Sequence, residues 1–569
     1  MAAQPHIGID LGTTNSVVAM VDSHGRPGVL ANGDGDLLTP SVVYFEADGP
    51  AIVGREAIKA GLQDPAHMVE AVKRELGREF ISRQIRGRRL PPAAVSGVIL
   101  HRLVRDAAAR GGEFTKAVVT VPAYFNEPRR KATMDAAAMA GLKEVELLNE
   151  PTAAALAFGF ELGVFSETGK LTGKHLKVPG QYTLLVYDLG GGTFDVTLMR
   201  IKDQHFQALV CDGDVQLGGR DWDQRILDYV CDCFVREFNA DPRTDARALA
   251  ALRLLCEEAK RTLTSRPKTV LRAEFQEHRL AVELTREDLV ELTGDLLQRT
   301  RLTCELVMMD ARMKWDQVDA VLLVGGSSRM PMVRDMLWEL TGVEPARSVS
   351  PDHAVAQGAA LYAKILANES KTDAKVMDEV AARIRVTNVN THSLGVVGRD
   401  KNTGSRRVSV LIPKNTPIPH TNRKKYFLRR DGQDKIFLQI VEGESFDPEE
   451  CTVIGECRLV DLPRDLKAGH PVTVSFAYRR NGRIFVEAEI EGRQPFIVEI
   501  ERGTKVAKAE MEDWASELIG EEEEQEEEES QKKRRGLQLP PSKIKVARVK
   551  PKAPGRGARG EGPGTSGDE

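Results

Sequence analysis

Two short stretches carry the residue types that hold a polyphosphate. One reads Ile9-Asp10-Leu11-Gly12-Thr13-Thr14-Asn15-Ser16 and the other Tyr187-Asp188-Leu189-Gly190-Gly191-Gly192-Thr193-Phe194-Asp195. Each follows an apolar run, then gives Asp, small residues and a threonine. Glycines let the backbone come close to a ligand, and consecutive N–H groups in such a turn form an anion-binding nest. An Asp at the mouth of each turn puts negative charge beside that anion, which is sensible only with a cation between them. Two such nests facing each other describe a Mg²⁺-triphosphate site. One glycine-rich turn alone would be weak evidence; the pair is strong.

The elements that must position these turns alternate between strand-like and helix-like runs. Strands are expected at 6–11, 17–21, 117–121, 182–188, 196–201 and 320–324. Helices are expected at 127–140, 152–158, 221–237, 245–263, 286–312 and 331–340, the fifth with Leu289, Leu292, Leu296 and Leu297 on one face. From residue 371 the texture changes to strand signals without helices, at 407–412, 424–428, 435–441, 472–478, 484–490 and 495–500. Asn481-Gly482 between two of them is a hairpin signal, and the set indicates an all-β sandwich. After Lys508 a helical stub is expected at 511–519, then a glutamate run at 521–529 and a Pro/Gly/Lys/Arg tail, read as disordered. The division is 1–370, a two-lobed nucleotide-binding domain; 371–392, a linker; 393–510, the sandwich; and 511–569, stub and tail.

At 569 residues, two or three cores are expected. A net charge of −4, from 80 basic and 84 acidic residues, argues against nucleic-acid binding by the whole chain. No apolar run approaches the roughly 18 residues that cross a bilayer, and no signal peptide is read at the start. Seven cysteines without metal-ligand spacing read as reduced thiols of a cytoplasmic protein.

IGIDLGTTNS, VPAYFNEPRRKAT, LNEPTAAALAFG, YDLGGGTFD, LGGRDWD and LVGGSSRMP, in this order, resemble the seventy-kilodalton heat-shock chaperones of the DnaK type. The resemblance is close from His6 to about Ala363 and collinear to about Ile500. It implies an actin-like α/β ATPase domain with nucleotide between two lobes, followed by a β-sandwich that binds extended apolar polypeptide. By resemblance, Gly12, Thr13, Thr14, Asn15, Gly190, Gly191, Gly192 and Thr193 hold phosphates, with Gly218 and Gly219 nearby. Asp10 and Asp188 hold Mg²⁺ mainly through water. Lys73 reaches the γ-phosphate, and Glu150 orients or deprotonates the attacking water beside Asp195 and Thr193. Taken alone, Lys73 reads as a surface lysine and Glu150 as a helix cap. Glu257, Lys260, Arg261 and Thr264, spaced along one helix face, bind the nucleoside with Gly325, Gly326, Ser327, Arg329 and Asp352. Pro122 and Arg130 relay nucleotide state. Val396, Tyr426, Ile436 and Leu438 fall on apolar peptide-pocket positions, with Arg429 where a small residue usually arches over the peptide; alternating apolar residues in a sandwich are otherwise core.

The chain departs from the family in five places. The segment between Lys73 and Val118 is short, as if a hairpin were missing. Arg220 stands where an acidic residue is usual, and Glu146 replaces a basic residue tied to J-domain partners. The linker reads VAARIRVTNVN instead of a leucine run. The long helical lid is lacking. The resulting expectation is an ATP-dependent, stress-responsive chaperone that uses ATP/ADP and Mg²⁺ and binds unfolded polypeptide, with J-domain and nucleotide-exchange partners. The alternatives are a nucleotide-binding interaction protein that does not cycle, and a small-molecule kinase of the same superfamily.

Overall fold

The computed structural model describes residues 6–166, 180–369, 383–400, 403–459, 462, 465–479, 484–490, 496–499 and 508–519. The hairpin turn at Asn481-Gly482, most of the linker and the glutamate-rich tail lie outside the described residues.

Lobe I grows from β1 (Ile7–Asp10), which runs antiparallel to β2 (Asn15–Val21) around the first glycine turn, with β3 (Pro27–Leu30) beyond. A helix, α1 (Pro92–Gly111), leads to β4 (Lys116–Val121), parallel to β1. Then come α2 (Glu127–Met139), capped by the Asn126 side chain, and β5 (Glu144–Asn149), parallel to β4. α3 (Glu150–Glu161) starts at once, with Pro151 in its first turn, where the missing N–H costs nothing.

Lobe II repeats the opening move. β6 (Gln181–Leu189) turns at the second glycine loop into antiparallel β7 (Phe194–Lys202), and β8 (His205–Asp214) follows. The helices α4 (Gly219–Phe238), α5 (Ala246–Ser265) and α6 (Arg286–Asp310) precede β9 (Ala320–Val324), which lies parallel to β6 just as β4 lies beside β1. Helices α7 (Pro331–Thr341) and α8 (Ala354–Glu369) complete the lobe, and α8 packs on α3, β1 and β2. That crossing is close: a Cβ on Gly8 would come within 2.2 Å of the Ala360 nitrogen, so no side chain fits there. Two sheets of matching topology, each with an Asp at the end of its first strand, are the actin-like arrangement.

The segment expected as linker contributes a strand of its own. β10 (Arg385–Thr387) adds to the edge of lobe II, parallel to β8, and the Arg385 N–H donates to Gln204 O at 3.0 Å. Its arginine does not oppose docking, because it stays exposed while Ile384 and Val389 enter the lobe II core. A backbone ladder replaces the leucine burial that the sequence lacks.

The sandwich is built from β11 (Leu394–Arg399), β12 (Arg406–Ile412), β13 (His420–Phe427), β14 (Ile436–Glu442), β15 (Thr452–Leu459), β16 (Pro471–Tyr478), β17 (Ile484–Ile490) and β18 (Phe496–Glu499). They form two four-stranded antiparallel sheets, ordered β12-β11-β14-β15 and β13-β16-β17-β18. Inward residues such as Val396, Ile440, Val474, Phe476 and Val486 make the core between them.

The stub is longer than expected, since α9 spans Lys508–Ile519 and so straddles the expected boundary at 510/511. It lies on lobe I. Met511, Trp514 and Leu518 join the core under α1 and α2, Arg88 stacks 3.9 Å from the Trp514 ring and bonds Glu517 at 2.6 Å, and Leu518 O accepts from Ala51 N. The short segment after Lys73 holds one isolated bridge, Ile85 to Arg88.

Candidate nucleotide site

The two glycine loops meet face to face. A Cβ on Gly191 would fall 1.9 Å from Thr14 Oγ1 and one on Gly192 would fall 2.4 Å from Thr13 Cγ2. Only glycine permits that approach, which brings both loop backbones to the edge of one pocket. Gly325, with φ +79°, presses on the other side of the second loop, where a Cβ would lie 2.4 Å from Leu189 O.

Around these loops lies a cavity of about 630 Å³. It is lined by Asp10, Gly12, Thr13, Thr14, Asn15, Lys73, Glu150, Asp188, Gly190, Gly191, Thr193, Glu257, Lys260, Arg261, Thr264, Gly325, Gly326, Ser327, Arg329 and Asp352. These residues come from both lobes and from widely separated parts of the chain, yet they converge on one cleft. Gly192, Gly218, Gly219 and Asp195 stand just behind this lining: the Gly219 N–H donates to Gly190 O at 2.9 Å, and a Cβ on Gly218 would lie 2.5 Å from Gly192 N.

Lys73 and Glu150 are buried and paired, Nζ to Oε1 at 2.5 Å. Ala71, in the left-handed region at φ 55°, bends the chain just before the turn that carries Lys73. Burial works against the lysine's charge, but Glu150 and Asp10 hold its pKa above the usual value. Burial, then the charge of Glu150, pushes Asp10 up to about 7, although Thr120 Oγ1 donates to it at 3.4 Å. Burial and Glu150 also raise Asp195 to about 7 while it accepts from the Tyr124 N–H at 3.0 Å, and Asp188 is raised well above its ordinary range. Four carboxylates thus surround one lysine. Among the described residues no cluster of three side chains converges tightly enough to chelate a metal directly. Carboxylate oxygens beside two glycine loops are the donor type that a hard cation takes, with water and phosphate oxygens in the rest of its shell.

The outer contacts are less uniform. Lys260 donates to Gly219 O and to Asp223, Arg329 pairs with Asp352 at 2.5 Å, and Glu257 lies 3.8 Å from Arg261.

Arg130 binds the turn before its own helix: its guanidinium donates to Ala123 O at 3.0 Å, Phe125 O at 2.9 Å and Asn149 Oδ1 at 2.9 Å. Pro122 is buried in that turn. Tyr124, between them, packs against His392 of the sandwich, with ring centroids 4.4 Å apart and the ring planes tilted by 44°. The neighbouring junction holds Lys414–Asp212 at 2.7 Å, Asn415 Oδ1 accepting from Cys211 N at 3.1 Å, Glu442 accepting from the Glu127 N–H at 2.9 Å, and Tyr478 OH donating to Glu127 at 3.0 Å. Sequence reasoning missed this set. Nothing local to Lys414 or Asn415 points to partners more than 200 residues away.

The peptide-pocket positions sit together in the sandwich. Val396 and Leu438 are buried, and Tyr426 and Ile436 pack beside them. Tyr426 OH donates to Ser409 Oγ at 3.0 Å, and Arg429 is exposed.

The profile of the family described as Hsp70 protein matches residues 6–87 and 80–538. Chaperone protein dnaK3 of Thermosynechococcus vestitus is 36% identical over 525 residues, covering 86% of this chain and 72% of its own length. Chaperone protein DnaK of Thermotoga neapolitana is 36% identical over 491 residues, covering 85% and 78%, and that of Thermotoga maritima matches to the same extent. Lobes, cleft and sandwich have one explanation: the chain belongs to the Hsp70 family, a chaperone family whose members use ATP and ADP.

Proposed function

We propose that this chain is an ATP-dependent chaperone that couples ATP binding and hydrolysis in the cleft to the binding of extended apolar polypeptide by the sandwich. The observation that carries the reading is the cleft itself, where apposed glycine loops face Asp10, Glu150, Asp188 and Asp195 around Lys73. Asp10 and Asp188 would hold hydrated Mg²⁺, which supplies charge neutralisation for the phosphates when bound. The loop N–H groups and Thr13, Thr14 and Thr193 bind and orient phosphate oxygens. Lys73 offsets negative charge on the transferred group, and Glu150 orients the attacking water and accepts its proton, with Asp195 adjacent. Glu257, Lys260, Arg261, Thr264, Ser327, Arg329 and Asp352 seat the nucleoside.

Nucleotide state would reach the sandwich through Asp195, Tyr124 and Arg130, which link the cleft to His392 by the contacts above. Val396, Tyr426, Ile436 and Leu438 would receive the peptide, and residues 393–510 would act as the substrate domain. A J-domain protein and a nucleotide-exchange factor are the partners this cycle calls for. Seven unpaired thiols suit a cytoplasmic setting. The test is ATP turnover by the purified chain with and without Mg²⁺ and an unfolded apolar peptide. Mg²⁺-dependent turnover that the peptide stimulates supports the reading. No turnover would favour a non-cycling interaction protein, and a phosphorylated small product would favour a kinase.

A further inference from the structure

The sandwich divides its charge unevenly along the chain. Between 399 and 435, which holds β12, β13 and the loops beside them, eleven basic residues stand against three acidic ones. Between 436 and 500 the balance turns, with seven basic against twelve acidic. The basic excess is therefore local, and it falls on the two strands that, among the described residues, pair on one side only. The register of β13 sets Lys424 opposite Val474 and Tyr426 opposite Val472, and opposite residues share a face. Both valines are buried in the core, so Lys424 takes an inward position, yet it is exposed. On either side of it β13 is tied to β12: Asn422 Nδ2 donates to Leu411 O at 2.6 Å and Tyr426 OH donates to Ser409 Oγ. The edge of the sandwich thus stands open at Lys424, two residues from the peptide-pocket position Tyr426. Arg423 and Lys425 flank Lys424, Arg429 and Arg430 follow in the next loop, and Lys435 precedes Ile436, all of them exposed. Among the described residues none of these six meets an acid at ion-pair distance, whereas Arg406 and Arg458 pair with Glu449 and Glu456. Phe427 and Phe437, 47% and 51% exposed, adjoin them along the chain.

We propose that this basic rim selects among polypeptides by charge, and that the segments the sandwich takes are apolar stretches flanked by aspartate or glutamate. The inference rests on the reading of the sandwich as a polypeptide site. Exposed cations without acidic partners attract an anion, and a strand edge offers an extended chain its backbone hydrogen bonds. A nucleic acid would meet the charges and leave the apolar positions at Val396, Ile436 and Leu438 unfilled. Arg429 then has a use: where the family resemblance leads to a small residue, this chain places one more cation beside the peptide positions. Lysines along an edge strand also discourage edge-to-edge pairing, but that role is indifferent to the sign of charge on a bound peptide. Exposed pairs are worth little singly, so the preference comes from several cations acting together and is sensitive to salt.

The experiment titrates the full chain, with ADP present, into dansyl-labelled peptides that share one leucine-rich core and carry either glutamates or lysines at both ends. The glutamate-flanked peptide should bind about tenfold tighter than the lysine-flanked one, and the gap should narrow as salt is added. Reversing two cations, Lys424→Glu with Arg429→Glu, should turn the preference toward the lysine-flanked peptide, a gain that a misfolded chain could not show. Equal or tighter binding of the lysine-flanked peptide by the unaltered chain overturns the charge rule alone, and so does a preference for glutamate that survives the reversal. If neither peptide binds, the charge rule and the reading of the sandwich as a polypeptide site both fall. A single-stranded oligonucleotide that binds as tightly as the glutamate-flanked peptide, and is lost with the same two substitutions, would overturn the proposal in favour of a nucleic-acid surface.

Discussion

The nucleotide cleft and the junction between lobes and sandwich are both enclosed and both charged, yet they settle their charge differently. The cleft sets Asp10, Glu150, Asp188 and Asp195 against Lys73, an excess that burial makes expensive and that lifts two of the acids to about 7. The junction meets its polar groups from within: Lys414 pairs with Asp212, Glu127 accepts from Tyr478 and Glu442 from the Glu127 N–H, beside a His392 that burial keeps neutral. An unbalanced pocket is completed by what it binds. An interface whose polar groups meet one another is complete when it is closed.

The sharpest way to break this contrast is to remove Lys73, the cation set among those four carboxylates. Lys73→Ala should lower ATP turnover by about 10²–10³ while nucleotide binding survives, measured as steady-state hydrolysis beside calorimetric titration. Equal turnover would make Lys73 a structural residue. The junction should respond in structure first. Lys414→Ala strands Asp212 with each side chain only 17% exposed, and should cost docking about 1–3 kcal/mol, read as lengthened distances between labels on lobe II and the sandwich. If the distances hold, the pair does not fasten the domains.

Acid should act on the junction in the same direction and by a similar amount. Burial, then Lys414 and Arg130, lowers His392 to about 4, while Glu442 faces it at 3.6 Å. An exposed histidine titrates near 6.5, so the open form binds the extra proton first. Docking should be fully supported above pH 6.5 and lose on the order of 1–3 kcal/mol as pH falls toward 4. His392→Gln should flatten that profile; an unchanged profile would assign it to other groups. The smallest effect concerns the tail. α9 rests on lobe I and not over the peptide positions, so deleting 520–569 should change the release of a fluorescent apolar peptide from the ADP form by less than about twofold. Marked acceleration would make the tail a cover.

The same contrast explains what could be read in advance. Cleft residues sit in compact runs such as Gly190-Gly191-Gly192-Thr193, whose chemistry is local, and they converge where the motifs said they should. Junction residues carry no local signal, because Tyr124 meets His392 and Glu127 meets Tyr478 only after the chain has folded back. Among elements, α8 is buried on several sides and shows no polar stripe, and α1 opens with prolines and carries Gly97, so neither stood out. The linker sequence VAARIRVTNVN offers no leucine run, and the strand pairing of β10 answers through backbone what side chains do not offer. Arg220 was visible as an exception, but Glu70, whose carboxylate it bonds in the structure, lies 150 residues away in the chain.

The position of α9 has a consequence for how the domains come apart. The sandwich is fastened at its beginning by β10 in the lobe II sheet and, beyond its end, by α9 on lobe I. Two fastenings on one body behave as a bivalent ligand. When either lets go, the other keeps it near its seat at an effective concentration in the millimolar range for short tethers, and recapture outruns escape. Lesions confined to Val386 or to Leu518 should therefore look mild, and the two combined should cost far more than their sum.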